Sequence, residues 1–321
     1  MSMPRLFVGN FDFEHRLGRY PIRQLPRKLA AINIRLLPDL LPLTVPGDFL
    51  WVPEPDAIPP EVRERLRQLA GDVGVRLVSG GDVPTGPAIE LVPWGWTEEI
   101  LAWGRASGWR LSAPPIPVVE WANSRQTSHD LEHLWGMEAP GSGCCRNADE
   151  LKALLRTLPA EASWVLKAEF GMSGRERVLG RGDTLSEPQR NWVEHRFQRG
   201  DTLFFEPWLP REAEQSFHYQ LDPVDGVTYL GATHLLTDPR GRYLANRPLA
   251  EGETPWPESL RGTRRAAEYL ASRGYFGPLS IDSMQYRLPE GGWGERPLQD
   301  INARWSMGRC VWERAEAAKF S

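Results

Sequence analysis

The sequence of 321 residues contains few cysteines and few lysines, and it has no long apolar run. Its three cysteines form no CxxC pair and no even set, so no disulfide framework is predicted. No stretch approaches the roughly 18 uninterrupted apolar residues of a membrane helix. The N-terminus also lacks the charged start and apolar centre of a signal peptide. We therefore expect a cytoplasmic protein with no membrane partner.

The chain also lacks an excess of basic charge. Its formal net charge is -4 and its pI is about 6.0, so nothing in the global charge favours binding to nucleic acid. Only four of the 38 basic residues are lysines, namely Lys28, Lys152, Lys167 and Lys319. Because lysine is rare in this chain, we expect a lysine inside an apolar strand to have a specific role. Lys167 lies in such a strand.

The first third of the chain alternates short apolar strands with helices. Strands are predicted near residues 5–9, 49–52, 75–78 and 90–93, and helices near 22–36, 61–69 and 98–106. This alternation predicts a mainly parallel sheet covered by helices. No GxGxxG follows the first strand and no GxxxxGK[ST] occurs anywhere, so neither a dinucleotide-binding domain nor a Walker A loop is supported.

The proline-rich stretch 114–117 predicts a domain boundary near residue 118. Beyond it the helical and extended patterns change to those of an α+β domain with an antiparallel sheet. Helices are predicted near 127–134, 148–158, 187–197, 257–273 and from 308, and strands near 164–168, 177–179, 202–206, 214–221, 227–236 and 278–287. We expect an N-terminal α/β domain over residues 1–118 and a second domain over 119–321, with lobes 119–205 and 206–321.

Lys167 ends the apolar strand that begins at Trp164, and a turn containing glycine and serine follows at residues 170–175. A buried lysine is costly unless it is paired with an anion. A glycine-containing turn exposes backbone N–H groups that can close over phosphates. The pattern predicts a phosphate site here, with a plain hairpin as the alternative.

A second pattern is the strand that ends in Glu206-Pro207-Trp208-Leu209. Pro207 breaks the ladder of the strand, so freed backbone groups could bind the edge of an adenine. Trp208 and Leu209 could pack on the ring, and Glu214 a few residues on could accept from ribose hydroxyls. The alternative is a strand end with solvated acids.

The third pattern is the strongest. Asp282 lies in an apolar strand, and a polar turn separates this strand from Asp300. If the two segments pair, Asp282, Asp300 and Asn302 converge, because residues 300 and 302 share one face at period two. Two carboxylates and an amide oxygen are hard ligands that suit Mg²⁺. Arg304, one step further along, could stabilise charge on a transferred phosphoryl group. An exposed acidic hairpin is the alternative.

Taken in chain order, these patterns resemble the motifs of the ATP-grasp superfamily over about residues 119–308. The motifs are Asn123-Ser-Arg125, Lys167 with its glycine turn, Glu206-Pro-Trp-Leu209 with Glu214, Asp282, and Asp300-x-Asn302-x-Arg304. The resemblance implies a two-lobed domain with the nucleotide between the lobes. It also implies that the N-terminal parallel-sheet domain helps to hold the substrate.

The resemblance implies ATP and Mg²⁺ as cofactors and gives each matching residue a role. Nucleotide binding would involve Arg125, Lys167, Gly171, Ser173, Gly174, Glu206, Trp208, Leu209 and Glu214 (with Glu212 as the alternative to Glu214). The metal ligands would be Asp282, Asp300 and Asn302. Lys167 and Arg304 would stabilise the charge of the transferred group. The chain departs from the family at three positions. Arg125 stands where the family often has a lysine, and Asp300 stands where it often has a glutamate. Ser280 stands where the family sometimes has an arginine.

The activity implied by the resemblance is that of a carboxylate–amine ligase. ATP would activate a small-molecule carboxylate as an acyl phosphate, and an amine would then attack it to form an amide. A kinase or carboxylase with another acceptor is the alternative within catalysis. A nucleotide-binding regulatory protein without turnover is the alternative of another class.

Three further groups of polar or aromatic residues remain. Asn10, Asp12, Glu14 and His15 follow the first strand, where parallel sheets tend to bind ligands. Residues 93–96 (PWGW) follow another strand in the same way. His129 and His133 lie four apart on a predicted helix, a spacing that could bind zinc, but HDLEH is not HExxH and no third ligand is evident.

Overall fold

The computed structural model describes residues 3–18, 31, 34–53, 58–171 and 176–319. Sheet A contains β1 (Arg5–Val8), β2 (Phe49–Trp51), β3 (Arg76–Val78), β4 (Glu90–Pro93) and β5 (Arg110–Leu111). Its strand order is β3-β2-β1-β4-β5 and every pair is parallel. The predicted parallel sheet is therefore confirmed. The predicted helix over 22–36 lies mostly outside the described residues.

The helices of this part are α1 (Phe13–Leu17), α2 (Pro60–Val73) and α3 (Glu98–Ser107), with 3-10 turns at Leu37–Leu43 and Gly80–Asp82. The Thr97 hydroxyl accepts from the Ile100 N–H at 3.3 Å and caps α3. Helix α2 runs further than predicted. It ends at Gly74, which takes the left-handed conformation (φ +77°), and not at Gly71.

The proline-rich stretch 114–117, near which we predicted a domain boundary, runs into a helix. Helix α4 (Ile116–Asn123) has Pro117 in its first turn, where the missing N–H costs nothing. Helix α5 (Arg125–Trp135) follows after a single residue, Ser124, whose hydroxyl accepts from the Gln126 N–H at 3.1 Å. These two helices connect sheet A to the rest of the chain.

Sheet B is antiparallel and has the order β6-β9-β7-β8. Its strands are β6 (Gly143–Cys145), β7 (Ser163–Ala168), β8 (Arg177–Arg181) and β9 (Leu203–Pro207), with helices α6 (Ala148–Leu155) and α7 (Glu187–Gln198). Its core is a separate cluster that includes Trp164, Leu166 and Phe205. The Asn147 side chain caps α6. Strand β6 was not predicted, because it has only three residues with small side chains.

Sheet C is also antiparallel, with the order β12-β11-β10-β13-β14. Its strands are β10 (Arg211–Asp222), β11 (Gly226–Thr237), β12 (Tyr243–Pro248), β13 (Gly277–Arg287) and β14 (Trp293–Asn302), and its helices are α8 (Pro257–Ser272) and α9 (Met307–Ala318). Strand β12 was not predicted, because as a half-exposed edge strand it lacks an apolar alternation.

One hydrophobic core joins sheets A and C. Phe7 and Leu50 from sheet A belong to the same buried cluster as Phe217 and Ile281 from sheet C. The predicted lobe boundary between 205 and 206 falls inside β9, whose residues all belong to sheet B. The division into domains stays a prediction. Within the described ranges, no helix has the length and apolarity to cross a membrane.

Candidate active site

A cavity of about 390 Å³ opens where the three sheets meet. Sheet B contributes Lys167 to its wall, and sheet C contributes Asp282 and Asp300. Phe11 and Trp94, which closely follow β1 and β4, close the side that faces sheet A. The carboxyl ends of the central parallel strands therefore face the cavity, as expected for a ligand site of an open parallel sheet.

Asp282 and Asp300 stand directly opposite each other on β13 and β14. The Ser216 hydroxyl donates to Asp282 from the neighbouring strand β10. Burial, and then the nearby charge of Asp300, raise the pKa of Asp282 to about 7. The predicted convergence of these two carboxylates is confirmed, and a cation between them would relieve their repulsion.

Asn302 and Arg304 also line the cavity, but both side chains have partners already. The Asn302 Nδ2 donates to Asp282 at 3.1 Å, and its Oδ1 accepts from Arg304 at 2.9 Å. The Arg304 guanidinium forms an ion pair with Glu14, 290 positions earlier in the chain. A metal held by Asn302 would require its amide oxygen to leave Arg304. The ligand role of Asn302 stays a prediction.

Four charged side chains of alternating sign form what we call the Lys167 network. They are Lys167, Glu206, Arg296 and Glu132. The Glu206 Oε2 accepts from Lys167 Nζ at 2.6 Å and from Arg296 Nη1 at 2.8 Å. The Arg296 Nε and Nη2 donate to the two oxygens of Glu132 at 2.6 and 2.7 Å. Glu206 was predicted to help frame an adenine, and its carboxylate is held in this network; the adenine role stays a prediction. Burial would raise the pKa of Glu206, yet Arg296 and Lys167 hold it well below its usual range.

The pairing of β9 with β7 continues one residue beyond Pro207. The Trp208 N–H donates to the Ser163 carbonyl of β7 at 2.8 Å. Because backbone groups alternate in direction along a strand, the C=O of Pro207, the last residue of β9, points away from β7. The binding of an adenine edge by this backbone stays a prediction. Glu206, Trp208 and Leu209 line a small adjoining cavity of about 50 Å³.

Arg177 lies next to these residues, although it was not predicted as a site residue. It stands opposite Lys167 in the β7–β8 pair and lines both cavities. The guanidinium groups of Arg177 and Arg211 lie 5.9 and 5.6 Å from the centre of the Trp208 ring. The hairpin register could have predicted this position from the sequence, because a hairpin of β7 and β8 places Arg177 across from Lys167.

Of the remaining predicted nucleotide ligands, Glu214, Arg125 and Gly171 line the larger cavity. Glu214 is buried and accepts from Thr237 and, at 2.7 Å, from Gln299 Nε2. Arg125 contacts Asp300 with a separation of 3.3 Å. Ser173 and Gly174 lie outside the described residues. Glu212, the alternative to Glu214, is exposed and pairs with Arg287, so it is not brought to the cavity.

Of the polar residues after β1, Glu14 contacts a residue of the site. Glu14 binds Arg304, whereas Asp12 pairs with Arg16 and Asn10 donates to the Gly95 carbonyl. His133 lies on the surface, where it contacts Glu138. No group of three or more metal-ligating His, Cys, Asp or Glu side chains occurs among the residues that are described.

The sequence matches no protein-family model and no curated protein. Solved structures, however, superpose over nearly the whole chain. The biotin carboxylase of Campylobacter jejuni aligns at 13% identity and a TM-score of 0.61, over 98% of this chain and 68% of that one. The biotin carboxylase domain of the Hydrogenobacter thermophilus 2-oxoglutarate carboxylase gives 17% and 0.58, over 99% and 70%. The N5-carboxyaminoimidazole ribonucleotide synthetase of Thermus thermophilus gives 16% and 0.52, over 95% and 72%.

At these identities the likeness shows the fold. The chain has the ATP-grasp fold, which confirms the fold class predicted from the order of the motifs.

Proposed function

We propose that the chain binds Mg-ATP between sheets B and C and uses it to join a small-molecule carboxylate to an amine. The observation that carries the proposal is the facing pair Asp282 and Asp300 at the wall of a cavity that Lys167 and Arg177 of sheet B also line. A cavity lined by two carboxylates and by cations fits a polyphosphate that carries a divalent cation. The cytoplasmic location predicted from the sequence accompanies this proposal.

Two further observations fit a bound nucleotide. The Gln299 Oε1 is buried in the cavity wall and has no hydrogen-bond partner in the described part of the chain. It lies on the side chain that contacts Glu214, so acceptors for ribose hydroxyls are already held there. In this proposal, the Pro207 C=O and the Leu209 N–H would be the acceptor and donor that bind the edge of an adenine. The C. jejuni neighbour was solved with an ATP analogue and the H. thermophilus neighbour with MgADP.

In the proposed reaction, the residues of this chain bind the substrates, orient them and neutralise the charge of the phosphates. Asp282 and Asp300 would hold Mg²⁺, which would supply a charge that neutralises phosphate oxygens. Lys167, Arg125 and Arg177 would hold the phosphates. A substrate carboxylate then attacks the terminal phosphorus and ADP leaves, and the amine displaces phosphate from the acyl phosphate. Phe11 and Trp94, beside Arg304, would keep water from that intermediate.

The proposal is tested first by calorimetry of ATP binding, with and without Mg²⁺, on the wild type and on Lys167→Ala. A hydrogen bond to a charged group contributes about 1.5–3 kcal/mol, so we expect the variant to bind roughly 10- to 100-fold more weakly. Lys152→Ala is the matched control, because its side chain is 63% exposed on α6 and far from the cavity. Equal affinities of the wild type and Lys167→Ala would remove the phosphate assignment.

A second assay separates the ligase from its alternatives. Release of ADP is measured with carboxylic acids alone, with carboxylic acids and amines together, with alcohols and with bicarbonate. Amide formation from an acid and an amine supports the ligase. A phosphorylated alcohol or a carboxylated product would instead identify a kinase or a carboxylase. Binding of Mg-ATP without release of ADP by any acceptor would favour a regulatory protein.

A further inference from the structure

The Lys167 network has one feature that its predicted parts did not suggest. A single oxygen, Oε2 of Glu206, accepts from both Lys167 and Arg296. Lys167 therefore shares its counter-ion with a second cation, and that second cation is held elsewhere by two bonds to Glu132. A carboxylate that pairs with two cations neutralises each of them less completely than a carboxylate that pairs with one.

Arg296 is held in this arrangement, because Glu132 sits on a helix whose first turn is fixed by contacts to two strands. Arg125, in the first turn of α5, contacts Asp300 of β14 and donates to the Ala168 carbonyl of β7 at 3.2 Å. Glu132 lies seven positions later and therefore on the same face of the helix. Helix α5 thus connects β14 to β7 and presents Glu132 to Arg296 as a buried, two-pronged acceptor.

We propose that Glu132 and Arg296 are positioning residues of the nucleotide site. They hold Glu206 so that Lys167 meets a phosphate with its own charge only partly neutralised. Of the three N–H donors of Lys167, one is committed to Glu206. Without Arg296, Glu206 would bind Lys167 alone, and a phosphate would have to compete with a full ion pair. This inference rests on the proposed function and extends it to two residues that act through Glu206.

The charges around Lys167 support this arrangement. Burial lowers the pKa of Lys167 to about 8, Glu206 opposes the shift, and Arg125 and Arg296 add to it. Glu132 and Arg177 also face this region, from α5 and β8. Lys167 therefore loses its charge as the pH rises through about 8. Removal of Arg296 withdraws one cation and returns all of Glu206 to Lys167, and both changes move the titration upward. Loss of the Glu132 carboxylate acts in the opposite direction, but its effect on Lys167 is smaller than that of Arg296 or Glu206.

The test uses the double variant Arg296→Met/Glu132→Met, in which an apolar pair replaces the buried ion pair and spares the fold. Lysine labelled with ¹³C and ¹⁵N gives four side-chain signals in the nucleotide-free protein, because the chain has only four lysines. Lys167→Met assigns the signal, and exposed Lys152 is the internal control. We expect the midpoint of Lys167 to rise by about one pH unit. We expect the Kd for Mg-ATP, measured by calorimetry at pH 7, to rise about tenfold.

A higher midpoint together with weaker Mg-ATP binding supports the positioning role. If neither quantity changes in the folded double variant, the network is only structural and the proposal is overturned. The same conclusion follows if the midpoint rises but the Kd stays at the wild-type value. A wild type that binds no Mg-ATP would defeat the proposed function, and the lysine titration would then still report whether Arg296 and Lys167 are coupled.

Discussion

Asp300→Asn is expected to reduce the turnover of ATP by about 10²- to 10³-fold, the range seen when one stabiliser of transition-state charge is removed. Asparagine keeps the shape of the side chain and one oxygen, but it removes a negative charge from the pair with Asp282. The same change frees Arg125, which contacts Asp300 at 3.3 Å. Binding of ATP without Mg²⁺ should therefore be retained, whereas the increase in affinity caused by Mg²⁺ should be lost.

The measurement is release of phosphate at saturating ATP, with calorimetry of ATP binding in the presence and absence of Mg²⁺. Asp72→Asn is the control, because Asp72 is exposed near the end of α2 and does not line the cavity. Thermal unfolding of both variants shows whether the fold is intact. Turnover by Asp300→Asn within twofold of the wild type would be incompatible with a metal site at Asp282 and Asp300.

The pair itself shows which parts of a site a sequence can predict. Asp282 and Asp300 lie on neighbouring strands joined by a short turn, so hairpin pairing and period two place them opposite each other. Arg177 follows the same logic in the hairpin of β7 and β8. The parallel sheet was predictable for a related reason, because alternation of strand and helix leaves few ways to bury both faces of the sheet.

The contacts that could not be predicted join distant segments. Arg296 and Glu132 are 164 positions apart, and Arg304 and Glu14 are 290 apart. Neither pair leaves a local pattern, since each charge alone resembles an ordinary surface residue. The motif around Glu206 was visible in the sequence, whereas the contact between Glu206 and Arg296 had no motif. Buried ion pairs depend on tertiary packing, so the residues next to each charge in the sequence do not predict them.

Arg296→Met alone is expected to lower the free energy of unfolding by about 3–5 kcal/mol at pH 8, because it leaves a buried carboxylate without its partner. Glu132 is 1% exposed and accepts its two bonds from Arg296. Burial already raises the pKa of Glu132 despite the opposing charge of Arg296, and loss of Arg296 raises it further. An acid whose pKa is raised on folding destabilises the protein as the pH rises above its unfolded value. The loss should therefore be smaller at pH 5 than at pH 8.

Urea unfolding of the wild type, Arg296→Met and Arg296→Met/Glu132→Met at both pH values checks this expectation. The double variant should recover most of the lost free energy at pH 8, since a packed apolar pair leaves no buried charge unpaired. An equal loss in Arg296→Met at pH 5 and pH 8 would show that Glu132 is not the group left unpaired. If the double variant is as unstable as Arg296→Met, the lost free energy of unfolding comes from packing around β14. Recovery in the double variant, in contrast, makes a stable protein in which only the charge next to Lys167 has changed, as the test of nucleotide positioning requires.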